Sequence, residues 1–142
     1  MIKDILASVC TELENQNENI NINFNGIKDS TEKAFKNFQA ALFPLHVNHE
    51  AKSIKENLET ACEFLIISIE RIIHDKNKAE EITGNLLKKL PQIREILLTD
   101  ITAAYQGDPA AKSTDEIILA YPAFTAVSAY RIAHELYIMN VP

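Results

Sequence analysis

Residues that make tight turns and cross-links are scarce in this sequence, which has only three glycines and two cysteines among its 142 residues. Three glycines are too few for the many tight turns of a small all-β sandwich or barrel. The two cysteines, Cys10 and Cys62, are too few for a disulfide framework and share no metal-ligand spacing. We expect Cys62, which lies in an apolar stretch, to be a buried free thiol.

Long apolar runs and a surplus of basic charge are missing as well. No apolar run approaches the roughly 20 residues of a membrane span, and the run from Phe64 to Ile67 is typical. Asp4 interrupts the only apolar stretch near the N-terminus, so we predict no signal peptide. Acidic residues outnumber basic ones, 20 against 14, and this average charge repels nucleic acid and anionic membranes. We therefore expect a cytoplasmic protein that binds neither.

Each segment of the sequence with a clear apolar pattern has its apolar residues at helical spacing. Residues 2–14 predict an N-terminal helix with one apolar stripe, made of Ile2, Ile5, Leu6, Val9 and Leu13. The asparagine-rich segment 15–25 breaks this period. Three apolar residues alternate with asparagines within it, namely Ile20, Ile22 and Phe24. A short strand remains open there, but asparagine is a poor strand former and favours a linker. We divide the chain into a helix with its linker, residues 1–25, and a helical domain, residues 26–142.

Caps and prolines predict the boundaries of the first helices in this domain. A capping-box pattern at residues 29–32 should begin a helix that stops at Pro44. We expect that helix to bury Phe35, Phe38 and Leu42. Asn48 should cap the next helix, which should be the longest of all and end near His74.

Two further helices should meet at Pro91. The first should run from Lys78 to Leu90. Pro91 should then open a new helix, because a first turn does not need the N–H that proline lacks. We expect this helix to end at Gly107, in the left-handed cap conformation.

The last segment should form two helices separated by a proline. Ser113 and Glu116 form a capping-box pair that should open a short helix, and Pro122 should begin the final helix. We expect one side of the final helix to consist of Phe124, Val127, Tyr130, Ala133 or His134, and Tyr137. The sequence thus predicts an all-α fold, a multi-helix orthogonal or bundle domain of six to seven helices.

Side chains that could carry chemistry are few. His46 and His49 lie three residues apart, with Glu50 beside the second, and imidazoles are common zinc ligands. Zinc needs a third protein ligand, and the pattern matches no established zinc-hydrolase spacing. We therefore favour a loop that enters a helix. Glycine-rich phosphate loops, nucleophile elbows and paired-cysteine motifs are absent. From chemistry alone we assign no catalytic residue and no metal site.

The C-terminal third carries several motifs in a specific order. They are an aspartate-isoleucine pair at 100–101, an Asp-Pro-Ala turn at 108–110, a tyrosine-proline pair at 121–122 and Tyr-Arg-Ile-Ala-His at 130–134. Residues 98–142 resemble the end of the N-terminal helical domain of serine acetyltransferases. The stretch 112–121 is most similar to the branch of that family with a longer N-terminal region. Residues 1–90 match the family only in their helical character.

The resemblance implies a two-part enzyme that makes O-acetyl-L-serine from L-serine and acetyl-CoA, the first step of cysteine synthesis. In the family, a left-handed β-helix of hexapeptide repeats follows the helical domain. It supplies the catalytic histidine and the acetyl-CoA groove between neighbouring subunits. We therefore expect no catalytic residue, no bound cofactor and no activity in this chain alone. His134 is interpreted as a packed histidine, and Arg131 and Glu135 as a surface ion pair.

The resemblance assigns one substrate residue to this chain. Asp108, of the Asp-Pro-Ala turn, corresponds to a family residue that helps to bind the amino acid. Pro109 restricts Asp108 to an extended conformation, so the carboxylate can project from a stiffened turn and pair with the serine ammonium. The alternative is that Asp108 only organises the turn. With the resemblance, we favour the substrate role.

Three alternative functions are consistent with the sequence. The first is an assembly and substrate-edge domain of an acetyltransferase, for which the family implies a trimer or a dimer of trimers. The second is a stand-alone helical interaction module without enzymatic activity. Hexapeptide repeats downstream in the source gene would decide between these two. The third is a metal-dependent enzyme built on His46 and His49, which requires bound metal.

Overall fold

The computed structural model describes residues 1–17, 26–47 and 50–142 of the chain. These residues form seven α-helices and no strand: α1 (Ile2–Asn17), α2 (Ile27–Leu42), α3 (Pro44–Val47), α4 (Ile54–Ile73), α5 (Lys76–Gly107), α6 (Thr114–Ala120) and α7 (Pro122–Ile138). The predicted all-α class and number of helices are confirmed. The open question of a strand at Ile20, Ile22 and Phe24 lies outside the described residues, as do Asn48 and His49.

The helices α2 and α4 pack most extensively against each other. Small side chains at their interface, Ala34 on α2 and Ala61 on α4, are almost fully buried and allow a close approach of the two backbones. Ser30 and Ser68 are also buried there, and their hydroxyl oxygens lie 2.6 Å apart in a hydrogen bond. This bond satisfies polar groups whose burial would otherwise be costly.

The start of α2 differs from the prediction. The helix begins at Ile27, directly after Gly26, which has a left-handed conformation with a φ of 69°. The predicted capping box at residues 29–32 is wrong, because Ser30 lies inside the helix and its hydroxyl contacts α4 instead of capping. Phe38 and Leu42 are buried as predicted, and Phe35 is half-buried against the core.

The helix α4 begins later than predicted but ends as expected. Its N-cap is Ser53, which accepts a hydrogen bond from the Glu56 N–H while the Glu56 carboxylate accepts one from the Ser53 N–H. This reciprocal capping box satisfies two orphan donors, and it replaces the predicted cap at Asn48. The helix ends at Ile73, followed by His74 in the left-handed region.

The longest helix is α5, with 32 residues, and it runs through Pro91 without a break. The prediction of two helices meeting at Pro91 is therefore wrong. A buried stripe continues at helical spacing on both sides of the proline: Leu86, Leu90, Ile93, Leu97 and Ile101. Pro91 itself is exposed. Burial of the continuous stripe offsets the roughly 3 kcal/mol that an interior proline costs.

The corner between α2 and α3 contacts both α5 and α7. Phe43 is buried, and its ring packs edge-to-face against Phe124 of α7 with 5.1 Å between the centroids. Arg94 of α5 donates from Nε to the carbonyl oxygen of Leu42 at 2.9 Å. That carbonyl is at the end of α2, where it has no partner within its own helix. One core therefore includes residues of α2, α4, α5, α6 and α7.

The buried side of α7 agrees with the prediction only in its first half, where Phe124 is buried and Val127 packs against the core. It consists of Phe124, Ser128 and Ile132, spaced four residues apart. Tyr130 and Tyr137, which we expected on the packed side, are 58% and 75% exposed. Their polar hydroxyl groups tolerate water, whereas Ile132 and Phe124 gain more from burial.

The apolar stripe of α1 remains exposed. Its members are Ile2, Ile5, Leu6, Val9 and Leu13, and their exposed fractions lie between 45% and 70%. The helix makes no extensive contact with the other described helices. Within the described residues, no helix is long and apolar enough to span a membrane.

Candidate functional site

Two residues that precede prolines face each other at one end of the core. Asp108 follows α5 and precedes Pro109, and Tyr121 follows α6 and precedes Pro122. Both have extended backbones, with φ and ψ of −115° and 105° at Asp108 and −87° and 118° at Tyr121. A following proline disfavours the helical conformation at exactly such positions. Each corner therefore ends one helix and turns the chain.

The carboxylate of Asp108 is fixed by two hydrogen bonds. Its Oδ1 accepts from the N–H of Ala110 at 2.9 Å, an Asx-turn. Its Oδ2 accepts from the hydroxyl group of Tyr121 at 2.5 Å. The carbonyl oxygen of Asp108 also accepts from the Ala111 N–H at 3.1 Å, which closes the turn. The side chain is half-exposed, so it does not point into the core.

These contacts set the protonation states of both groups. The hydrogen bond from Tyr121, followed by that from Ala110, lowers the pKa of Asp108 below its ordinary value. The same contact with Asp108 raises the pKa of Tyr121 to about 12. At neutral pH the pair is therefore a carboxylate anion and a neutral hydroxyl donor.

One further carboxylate, that of Glu116, acts on the pair. None of the ion pairs found among residues 1–17, 26–47 and 50–142 involves Asp108. The charge of Glu116 contributes to the raised pKa of Tyr121. Ser113 caps α6 by accepting from the Glu116 N–H, as predicted. The Glu116 carboxylate accepts from the Lys112 N–H at 2.8 Å instead of from the Ser113 N–H, so the predicted capping box is only half formed. The arrangement can attract a small cation or an ammonium group.

The site differs from the prediction at Gly107. We expected a left-handed cap there, but Gly107 is the last helical residue of α5, and Gly26 is the glycine with positive φ in the described part of the chain. The Asx-turn and Pro109 end the helix instead, so no left-handed residue is needed.

A bidentate ion pair joins the other two motifs of the C-terminal third. Arg131 of α7 donates from Nε and Nη2 to the two carboxylate oxygens of Asp100 of α5, at 3.1 and 3.0 Å. The hydrogen bond with Asp100 raises the pKa of Arg131. The predicted surface pair of Arg131 with Glu135 is wrong, because Asp100 offers the planar geometry that a guanidinium prefers.

The histidines have structural surroundings. His46 Nε2 lies 2.7 Å from Asp115 Oδ1, which links α3 to α6. No group of three metal-ligating side chains converges within the described residues, and His49 lies outside them. His134 is exposed and its ring stacks on Tyr130, so the prediction of a packed histidine is wrong. Cys62 is half-buried rather than buried, and desolvation raises the pKa of its thiol.

Sequence reasoning missed Tyr121 as a partner of Asp108 and Asp100 as the partner of Arg131. Both contacts join residues far apart in the chain, 13 and 31 positions respectively. The tyrosine-proline pair at 121–122 and the aspartate at 100 were visible as motifs, but the sequence does not show that their side chains meet.

The fold and the site together define an all-helical domain that presents a fixed, ionised carboxylate at a corner between two helices. The family model described as "Serine acetyltransferase, N-terminal" matches residues 45–129, more than half of the chain. The protein belongs to this family of N-terminal serine acetyltransferase domains.

Two curated relatives from Synechococcus elongatus match shorter stretches. The "Serine acetyltransferase, plasmid" is 45% identical over 64 residues, which is 45% of this chain and 20% of that protein. A second "Serine acetyltransferase" is 39% identical over 46 residues, which is 32% of this chain and 19% of that protein. The matched stretches thus span about a fifth of the length of these relatives.

Proposed function

We propose that this chain is the N-terminal assembly and substrate-edge domain of a cytoplasmic serine O-acetyltransferase. The complete enzyme would transfer the acetyl group of acetyl-CoA to the hydroxyl group of L-serine. Family membership supports this reaction, and the matched share of the relatives supports a longer enzyme. The chain alone would bind no cofactor and have no activity, because the catalytic histidine and acetyl-CoA groove belong to the β-helix domain expected from the resemblance.

The observation that carries the proposal is the carboxylate of Asp108. It is ionised, half-exposed and fixed at both oxygens, and none of the ion pairs found among the described residues involves it. An ionised carboxylate has about four acceptor sites, and Ala110 and Tyr121 occupy one on each oxygen. The remaining sites can accept hydrogen bonds from the ammonium group of L-serine.

Substrate binding at this corner would orient the reacting group. With its ammonium held by Asp108, serine can present its hydroxyl to a histidine of the second domain, which removes the proton as the oxygen attacks the thioester carbonyl. The C–S bond then breaks, and CoA leaves and takes up a proton as the free thiol. Asp108 would not take part in the proton transfer, because its lowered pKa makes it a poor base. Its contribution is to bind and orient serine.

The test is the replacement Asp108→Ala in the complete enzyme. We expect the KM for serine to rise by about 10- to 100-fold, the loss of one hydrogen-bonded charge of about 1.5–3 kcal/mol. The KM for acetyl-CoA should stay nearly unchanged, as measured by release of CoA. A matched control is Asp115→Ala, since Asp115 contacts His46 instead of the corner. Equal effects on both KM values, or none, would leave Asp108 with only its turn-forming role.

A second function, self-association, is favoured by the exposed stripe of α1. Four of its residues, Ile2, Leu6, Val9 and Leu13, are spaced by four, three and four positions, the spacing of a coiled-coil seam. Two copies of a 16-residue helix can bury this seam against each other. We propose that the occupant of the stripe is α1 of a second copy, within a homo-oligomer such as a dimer of trimers. A stand-alone interaction module remains the alternative, and it predicts no hexapeptide repeats downstream in the gene.

A further inference from the structure

We infer that Tyr121 is a positioning residue for the amino-acid substrate, which it orients through the carboxylate of Asp108. The inference rests on the proposed function of Asp108. It adds a residue that is 13 positions away in the chain and that contacts Asp108 only because α6 folds back between the two proline corners.

The geometry indicates that Tyr121 fixes the orientation of the Asp108 carboxylate. The N–H of Ala110 holds Oδ1 of Asp108, and this bond is local, between residues two positions apart. One bond at one oxygen leaves the other oxygen free to swing as the side chain rotates. The hydroxyl group of Tyr121 holds Oδ2 at 2.5 Å and so fixes the plane of the carboxylate. The free acceptor sites of the Asp108 carboxylate then point in one defined direction.

The backbone around Tyr121 is built to hold its ring in place. Pro122 restricts Tyr121 to the extended conformation, and the Tyr121 N–H donates to the carbonyl oxygen of Ile117, the buried residue of α6, at 3.3 Å. The ring also packs against the hydrophobic core. The hydroxyl group therefore stands on a supported corner rather than on a mobile surface side chain.

A tyrosine suits this task better than a cation does. A lysine or arginine at the same place would also fix the carboxylate, but it would neutralise the charge that attracts the ammonium of serine. A neutral hydroxyl orients the carboxylate and leaves its charge available to the substrate. Because its pKa is about 12, Tyr121 remains a donor throughout the pH range in which an enzyme works.

The contact itself is tested in this chain with Tyr121→Phe, which removes the hydroxyl group and keeps the ring. The pH titration of the Asp108 carboxyl carbon is followed by NMR in the chain labelled with ¹³C-aspartate. We expect the midpoint for Asp108 to move to higher pH in the variant, because the largest cause of its lowered pKa is removed. Tyr130→Phe is the matched control, since Tyr130 is exposed and stacks on His134. An unchanged midpoint in Tyr121→Phe overturns the inference.

The consequence for the substrate is tested in the complete enzyme. We expect Tyr121→Phe to raise the KM for serine by about 3- to 10-fold, less than Asp108→Ala does, because Tyr121 acts on the substrate only through the carboxylate, and we expect the KM for acetyl-CoA to stay unchanged. If Asp108→Ala raises the KM for serine and Tyr121→Phe does not, the inference fails while the proposed function stands. If Asp108→Ala has no effect on the KM for serine, the proposed function fails first. Equal effects of Tyr121→Phe on both KM values also contradict a positioning role.

Discussion

Single residues before prolines shape the site, and each has a local physical reason. Asp108 and Tyr121 both precede a proline, both are extended, and both end a helix. The turn at Asp108 could be predicted from the sequence, because an Asp-Pro pair after a helical segment has few other conformations. The hydrogen bond with Tyr121 could not be predicted, since it depends on the length and direction of α6.

At the scale of single residues, replacing two of the glycines by alanine should change the free energy of unfolding in opposite directions. Gly84 lies inside α5, and a Cβ atom added there would meet nothing within 4 Å. Gly26 has a φ of 69°, and a Cβ atom there would lie 2.8 Å from Arg71 Nη1. We expect Gly84→Ala to raise the free energy of unfolding by about 0.5–1 kcal/mol and Gly26→Ala to lower it by about 1 kcal/mol. Urea denaturation of both variants measures the two effects. The same sign for both would contradict the backbone assignment of one of them.

The apolar pattern predicts the extent of a helix more reliably than individual start and stop residues do. The stripe from Leu86 to Ile101 keeps its period across Pro91, so the pattern indicated one helix while the proline indicated two. The buried stripe determined the outcome, because its burial exceeds the cost of one missing hydrogen bond. In α7, by contrast, apolar and aromatic residues surround the helix, and the sequence did not reveal which side faces the core.

The element-scale prediction concerns Pro91. Replacing it by alanine restores an N–H donor for the carbonyl oxygen of Leu87 and removes a steric clash. Together these changes should stabilise the folded state by about 3 kcal/mol. The unfolded chain also becomes more flexible, which costs up to about 1 kcal/mol. We therefore expect Pro91→Ala to stabilise the protein by about 2 kcal/mol, seen as a higher midpoint of thermal or urea unfolding. Gln92→Ala, at the exposed neighbouring position, should change stability little. A loss of stability in Pro91→Ala would mean that the proline shapes the helix for its packing.

At the scale of the whole molecule, packing of the core does not account for the apolar stripe of α1. The other described helices, except the four-residue α3, contribute buried residues, whereas α1 contributes none. The sequence predicted this helix and its stripe, but it could not show whether the stripe would fold against its own domain. An isolated helix of this length is marginal in water, so a second copy provides a physical reason for its apolar face.

This assembly is tested with one charge placed on or off the stripe. Leu6→Glu puts a carboxylate in the middle of the proposed seam, and we expect it to weaken self-association of the chain by at least 10-fold. Ala7→Glu, one position along on the exposed opposite side, adds the same charge and should leave association unchanged. Sedimentation velocity over a range of concentrations measures both. A strictly monomeric parent chain, or equal effects of the two variants, would exclude α1 as the contact.

The central claim is that the carboxylate of Asp108 binds the ammonium group of serine, and a cycle of enzyme and substrate changes tests it most directly. In the complete enzyme, kcat/KM is measured for L-serine and for 3-hydroxypropanoate, which lacks only the amino group. Each substrate is used with the parent enzyme and with Asp108→Asn, which keeps the shape and removes the charge. We predict that the parent prefers serine strongly and that the variant loses at least 10-fold of this preference, a coupling of about 1.4 kcal/mol or more. An unchanged preference in Asp108→Asn would show that the carboxylate and the amino group do not meet.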